Sequence, residues 1–286
     1  TKVLLTDNKG NLLWEREVAT ECWGLDIAPS GEYVSTGCDD GAIHLWDREG
    51  NLLWEYKNEE KSSVHKPSVR WVKFSPDGKY LLTGPIEGDY ELSGLFESLT
   101  GKLVWSFWTG GYLREGRFSR DGTTVYLAST NGMLYAVDTN TGKLIWSSSG
   151  DYYIPFLLSI IEDKNMVVMA GKGRAFVVLN LTNGNRLWKT TVEQTITAGN
   201  SADDGTTLGG TVGGMVYQID SNGKFIWSRS FGGPGHNGAY LTQNGYYSLL
   251  GGPNPTLFDN EGNILWQREK DKKIEMLNPS ELANTT

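Results

Sequence analysis

The pentapeptide GKLIW, Gly142–Trp146, decides how the chain is read, because close variants of it occur seven times. It stands as GNLLW at Gly10–Trp14 and Gly50–Trp54, GKLVW at Gly101–Trp105, GNRLW at Gly184–Trp188, GKFIW at Gly223–Trp227 and GNILW at Gly262–Trp266. Successive tryptophans are 40, 51, 41, 42, 39 and 39 residues apart. A period of about 40 marks a repeat architecture, in which each unit is too small to bury its own apolar face and stacks on its neighbours. Seven such units fill the 286 residues, so the array reads as one domain spanning 1–286.

Each unit reads as four short strands, A to D. In the second full unit, strand A covers Val69–Ser75, Pro76-Asp77-Gly78 turns the chain, and strand B covers Lys79–Gly84. Equivalent turns stand at Ala28–Gly31, Ser119–Gly122, Ala202–Gly205 and Thr242–Gly245. Asp-Gly and Asn-Gly between apolar runs are strong hairpin signals. Strand C, as at Met133–Asp138 or Met215–Asp220, leads through an Asp-to-Gly turn into strand D and its tryptophan. No segment keeps a long 3.6-residue period, so the chain reads as all-β.

Six units are complete and span 18–269, while residues 1–17 supply only strands C and D of a seventh. The tail, 270–286, is expected to supply the remainder, since Ile274–Ser280 resembles Leu25–Ser30. Two ends sharing one unit would close a ring and remove exposed strand edges.

The net charge is −8 and the isoelectric point about 5.0. An acidic chain has no general attraction to phosphate backbones, so nucleic acid is not an expected partner. No run of 18 apolar residues occurs, so this segment is not expected to insert into a membrane. Thr1 is not a natural start, so the chain reads as processed or excised and the want of a leader decides nothing.

The run Asn131–Trp146 resembles the repeat of quinoprotein-like (PQQ-like) β-propellers. Val69–Gly84 and Leu45-Trp46-Asp47 resemble WD-repeat propellers, and the whole resembles mixed propellers of archaeal and bacterial surface proteins. The resemblance implies a seven-bladed β-propeller of four-stranded antiparallel blades. It also implies that Trp14, Trp54, Trp105, Trp146, Trp188, Trp227 and Trp266 pack between adjacent blades, the reading preferred to ligand platforms. His65 stands where WD propellers place a histidine that bonds a strand-B hydroxyl, here Thr83. His44 and His236 read as isolated, and no metal-ligand spacing is visible. The aspartates of the C–D turns read as turn residues rather than calcium ligands.

Cys22 and Cys38 flank one A–B hairpin. If its turn centres on Ser30, they face each other; a bridge and two free buried thiols are both open readings, and a bridge implies an oxidising compartment. By family geometry, the D–A and B–C loops form the top face. The second full unit carries insertions in both, bringing Glu59, Glu60, His65, Glu87, Asp89 and Tyr90 to that face. Other top loops offer Trp108, Tyr112, Arg114, Tyr152 and Tyr153. Aromatics beside charges on loops suit a protein or glycan partner; solvated, drifting loops are the alternative.

Quinoprotein dehydrogenases would make the chain an enzyme, but no vicinal cysteine pair, Gly-x-Ser-x-Gly, His-Glu-x-x-His or P-loop is present. The expectation is therefore a non-catalytic interaction, scaffold or structural module with no cofactor, outside the cell or in its envelope, with a cytoplasmic location left open. A quinone- or sugar-dependent oxidoreductase is the alternative.

Overall fold

The computed structural model describes residues 1–57, 68–85, 92–149, 155–231, 238–251 and 255–268. An N-terminal pair, β1 (Lys2–Thr6) and β2 (Leu12–Glu17), comes first. Blade 1 contains β3 (Cys22–Ile27), β4 (Tyr33–Cys38), β5 (Ile43–Asp47) and β6 (Leu52–Tyr56). Blade 2 contains β7 (Trp71–Phe74), β8 (Tyr80–Gly84), β9 (Leu92–Glu97) and β10 (Leu103–Trp108). Blade 3 contains β11 (Leu113–Phe118), β12 (Thr124–Ser129), β13 (Met133–Asp138) and β14 (Leu144–Ser149). Blade 4 contains β15 (Pro155–Ile161), β16 (Met166–Gly171), β17 (Ala175–Asn180) and β18 (Arg186–Thr191). Blade 5 contains β19 (Ile196–Ser201), β20 (Thr207–Thr211), β21 (Met215–Ile219) and β22 (Phe225–Ser230). Blade 6 contains β23 (Gly238–Leu241), β24 (Tyr247–Gly251), β25 (Thr256–Asp259) and β26 (Ile264–Gln267).

Every blade is a four-stranded antiparallel meander in chain order. The first strands of successive blades pack side by side, which places them innermost. With the N-terminal pair counted as the seventh blade, the architecture is a seven-bladed β-propeller. The tail expected to complete that blade, 270–286, lies outside the described residues.

The core lies between blades rather than within one. Tyr126, Leu134 and Ala136 of blade 3 pack on Val167, Met169 and Val177 of blade 4, all buried. Each large aliphatic side chain buried in this way stabilises by roughly 1.5–3 kcal/mol. Strand ends are shorter than the sequence predicts where a turn side chain takes over the backbone. In blade 2, Ser75 Oγ donates to Asp77 Oδ1 at 2.6 Å and accepts from the Tyr80 N–H at 2.9 Å, ending β7 at Phe74.

The repeated tryptophans latch one blade to the next. Trp105 donates its indole N–H to the Thr139 carbonyl at 2.7 Å, across the turn that ends at Gly142. Trp14, Trp54, Trp146 and Trp188 donate likewise to the carbonyls of Arg48, Ser98, Leu181 and Ser221, at 2.8–3.2 Å. Glycine is required in these turns for two reasons. At Gly184 φ is +73°, and a Cβ would stand 2.5 Å from Cε3 of Trp146. Trp227 presses on Gly262 in the same way, although its N–H has no partner among the described residues. The seventh pair differs. Trp266 is 43% exposed, and a Cβ on Gly10 would meet nothing within 4 Å.

The turn aspartates spend their oxygens on their own turns. Asp47 Oδ1 accepts from the Asn51 N–H at 2.7 Å and Oδ2 from the Asn51 side chain at 2.8 Å. The Asn51 amide, helped by backbone N–H groups, holds the Asp47 carboxyl below its usual range. Asp7 and Asp259 are held in the same way by Asn11 and Asn263. Among the described residues, no group of three His, Cys, Asp or Glu side chains converges as a metal site.

Candidate functional site

Four of the six innermost strands, those of blades 1, 3, 4 and 5, share a defect at their top ends, where each strand begins. The register of β3 against β4 shifts between Cys22 and Gly24, leaving Trp23 as a bulge. The same shift falls between Leu113 and Glu115, Pro155 and Leu157, and Ile196 and Ala198. Arg114, Phe156 and Thr197 are therefore bulge residues at one repeat position. Arg70 holds that position in blade 2, next to the Trp71–Gly84 pair that matches Gly24–Gly37. A bulge re-aims its side chain and is common at rims and functional sites. Around the mouth the order is Trp23, Arg70, Arg114, Phe156 and Thr197, one in each of blades 1 to 5.

These residues stack in pairs. The Arg70 guanidinium lies 5.5 Å from the Trp23 ring centroid, and that of Arg114 lies 5.1 Å from the Phe156 centroid. Guanidinium over an aromatic face is attractive and fixes the planar fork in orientation. Asp39 organises the first pair. It accepts from Trp23 Nε1 at 3.1 Å and Ser68 Oγ at 2.5 Å, and pairs with Arg70 at 3.6 Å. The Ser68 hydroxyl, with Trp23 and Arg70, holds its carboxyl below the usual range. Arg114 makes no ion pair within 4 Å among the described residues. Burial and the positive charge of Arg70 both lower its pKa.

Trp23, Arg70, Lys73, Tyr112, Arg114 and Glu115 line a cleft of about 700 Å³. A second cavity of about 260 Å³ follows the first strands of blades 3 to 6, and Glu115 lines both. Burial raises the Glu115 carboxyl above its usual range, against the pull of Arg117 at 2.5 Å. Lys73 pairs with Asp26 at 3.6 Å. The cleft is thus locally cationic and aromatic in a chain that is acidic overall.

Of the top-face residues read from the sequence, Tyr112 and Arg114 line this cleft, and Trp108, the last residue of β10, is 67% exposed. Glu59, Glu60, His65, Glu87, Asp89, Tyr90, Tyr152 and Tyr153 lie outside the described residues. Trp23, Arg70, Lys73 and Glu115 escape a search of loops because they stand on or beside innermost strands. Their signal was positional: each sits at or next to the start of strand A.

His44 is not isolated, as the sequence suggested. It is buried, with Nδ1 3.0 Å from Thr36 Oγ1 and Nε2 3.1 Å from Glu55 Oε1, and it stacks on Trp46. Burial lowers its pKa more than Glu55 raises it. The hydroxyl of Thr83, expected to meet His65, has no partner among the described residues.

Cys22 and Cys38 are joined by a disulfide. Their facing is not a simple consequence of a turn centred on Ser30. Leu25 pairs with Thr36 and Ile27 with Val34, one residue out of that symmetry, and the bulge at Trp23 takes up the difference. The covalent tie therefore clamps the hairpin at its bulge.

Repeating four-stranded sheets, tryptophan latches and a bulge-lined mouth define a β-propeller of mixed PQQ-like and WD repeats. The chain belongs to the family described as outer membrane protein assembly factor BamB, whose model matches residues 91–189 and 172–285. A WD domain, G-beta repeat model matches 17–47 and 58–90. The chain is 32% identical over 132 residues to a WD repeat-containing protein 26 homolog of Drosophila melanogaster, covering 46% of this chain and 21% of that protein. It is 26% identical over 187 residues to outer membrane protein assembly factor BamB of Yersinia pestis, covering 58% of this chain and 47% of that protein. It therefore spans less than half the length of these relatives. The crystal structure of BamB from Moraxella catarrhalis superposes with a TM-score of 0.70 at 16% identity, covering 91% of this chain and 77% of that one. At that identity the likeness establishes the fold.

Proposed function

We propose that this chain is a non-catalytic interaction or scaffold module, which docks a protein partner on its top face at the mouth of the channel. The observation that carries this is the set of residues at one repeat position, the bulges Trp23, Arg114 and Phe156 with Arg70 beside β7, which puts two arginines and two aromatic rings at the starts of the innermost strands. Arginine and large aromatics are the side chains that most often anchor protein interfaces. Relatives named as an assembly factor and as a transcription initiation factor subunit fit a scaffold role. A cell-envelope or extracellular location is part of the proposal, supported by the Cys22–Cys38 bridge and by the BamB family.

So is a ring in which residues 1–17 and 270–286 share the seventh blade. Its support is that both flanks of that position leave apolar side chains uncovered. Leu25 and Ile27 of blade 1 are 55% and 53% exposed, and Tyr240 and Trp266 of blade 6 are 62% and 43% exposed.

Photo-crosslinking tests the docking face. A benzophenone side chain in place of Tyr112 or Trp108 should capture a partner protein from the native host, and one in place of Asp121, on the opposite face, should not. Capture from Asp121 alone would place docking on the wrong face. Adding pyrroloquinoline quinone should leave the absorption spectrum unchanged; a bound chromophore would favour the oxidoreductase reading.

A further inference from the structure

We infer that the adjacent guanidinium groups of Arg70 and Arg114 form a receptor for the carboxylates of a short acidic peptide segment, which enters the cleft between Trp23 and Phe156. This rests on the top face being the docking face, and it adds what the face recognises.

Three observations point to this ligand. Arg114 and Arg70 occupy one repeat position on neighbouring blades, and burial, with the charge of Arg70 second, depresses the Arg114 guanidinium. Two cations set side by side repel, and a bound anion removes that cost. Arg70 already has Asp39 at 3.6 Å, whereas Arg114 stacks on Phe156, feels Glu115 at longer range and makes no ion pair within 4 Å among the described residues. Stacking on Phe156 leaves the edge of the Arg114 guanidinium fork to face the cleft, and such an edge matches a carboxylate bidentately.

The size and surroundings of the cleft narrow the class further. About 700 Å³ holds a few side chains and not a folded domain. Its walls include the rings of Trp23, Trp71 and Tyr112, which favour apolar or aromatic neighbours beside the acid. A long polyanion suits the site poorly. The chain carries −8 overall, so a nucleic acid would meet repulsion everywhere except the mouth. A short acidic segment reaches only the mouth, where Arg70, Lys73 and Arg114 outnumber Glu115 among the residues that line the cleft.

The test uses a fluorescein-labelled peptide with three adjacent acidic residues between phenylalanines, read by anisotropy against the full chain. It should bind with a Kd below about 1 mM, weaken as salt rises, and fail when its acids are replaced by amides. Arg114→Gln should weaken binding at least about tenfold, as expected when a charged bidentate pair is lost. Arg114→Lys, which keeps charge without the fork, should recover part of it. Arg120→Gln, on the opposite face, should change nothing.

Inorganic phosphate serves as a competitor. If it displaces the peptide at equal concentration, the site takes small oxyanions and the peptide assignment is overturned. Binding that is absent, or that is unchanged in both Arg114→Gln and Arg70→Gln, overturns the receptor itself. Thermal melts of each variant exclude unfolding as the cause of a loss. If crosslinks from Tyr112 persist while the acidic peptide fails, the docking face stands and the carboxylate receptor falls.

Discussion

Gly184→Ala isolates the energy of one latch. Two costs are built into the substitution. At φ +73°, an alanine pays for the left-handed conformation, roughly 1–2 kcal/mol. Its Cβ would also stand 2.5 Å from Cε3 and 2.9 Å from Cδ2 of Trp146, so the indole must move. Moving it strains the hydrogen bond to the Leu181 carbonyl, now 3.2 Å, and disturbs packing on Tyr126. Overpacking of this kind costs about 1–3 kcal/mol. The total should be about 2–5 kcal/mol. Trp146→Ala alone should cost about 3–5 kcal/mol, the range for a large aromatic taken from a packed core. In the double variant the clash disappears, so Gly184→Ala should cost only its backbone share there. Urea melts of the four proteins complete the cycle. If Gly184→Ala costs as much without the indole as with it, the ring does not press on this glycine and the latch account is wrong.

Gly10→Ala has no neighbour to strike and should pay only the backbone cost of roughly 1–2 kcal/mol in melts; a cost matching Gly184→Ala means that Trp266 seats on this turn. Deleting Thr1–Glu17 removes Trp14 from its bond to the Arg48 carbonyl and uncovers Val34 and Trp46, so the truncated chain should melt earlier and aggregate, and an unchanged melt with monomeric elution refutes this. Burial holds His44 below its ordinary value of 6.5, so the unfolded chain takes up the proton first. Its contribution is therefore full above pH 6.5 and drains as the pH falls below it, at no more than about 1.4 kcal/mol per pH unit. His44→Gln should flatten that slope in pH-dependent melts, and an unaltered slope assigns it to other groups. Mass spectrometry of alkylated, non-reduced protein from an oxidising compartment should find Cys22 and Cys38 unmodified and linked; two alkylated thiols exclude the bridge.

The fold was legible because its marks are local. The spacing of Trp14 to Trp266 sets the blade count, and the Asp-Gly and Asn-Gly pairs set the hairpins. Strand C at Met133–Asp138 agrees to the residue. The site was less legible for a physical reason. A bulge depends on how two strands pair, so nothing in the residues around Trp23 or Arg114 announces the shift. Tyr112 was found because it sits in a loop, and Arg70 was missed because it reads as the start of a strand. His44 looked alone in the sequence because its partners, Thr36 and Glu55, come from the strands on either side.

The one-residue bulge separates two properties that most proteins must trade. Latches and inter-blade cores carry the mechanical integrity of the ring, and the latch tryptophans stand apart from the residues that line the mouth. Across blades 1 to 5 the mouth carries a single letter per blade, in the order Trp, Arg, Arg, Phe, Thr. None of these letters is one of the tryptophans that latch a blade to its neighbour. Such a scaffold carries a short positional code, and a new ligand preference lies a few point changes away from the present one.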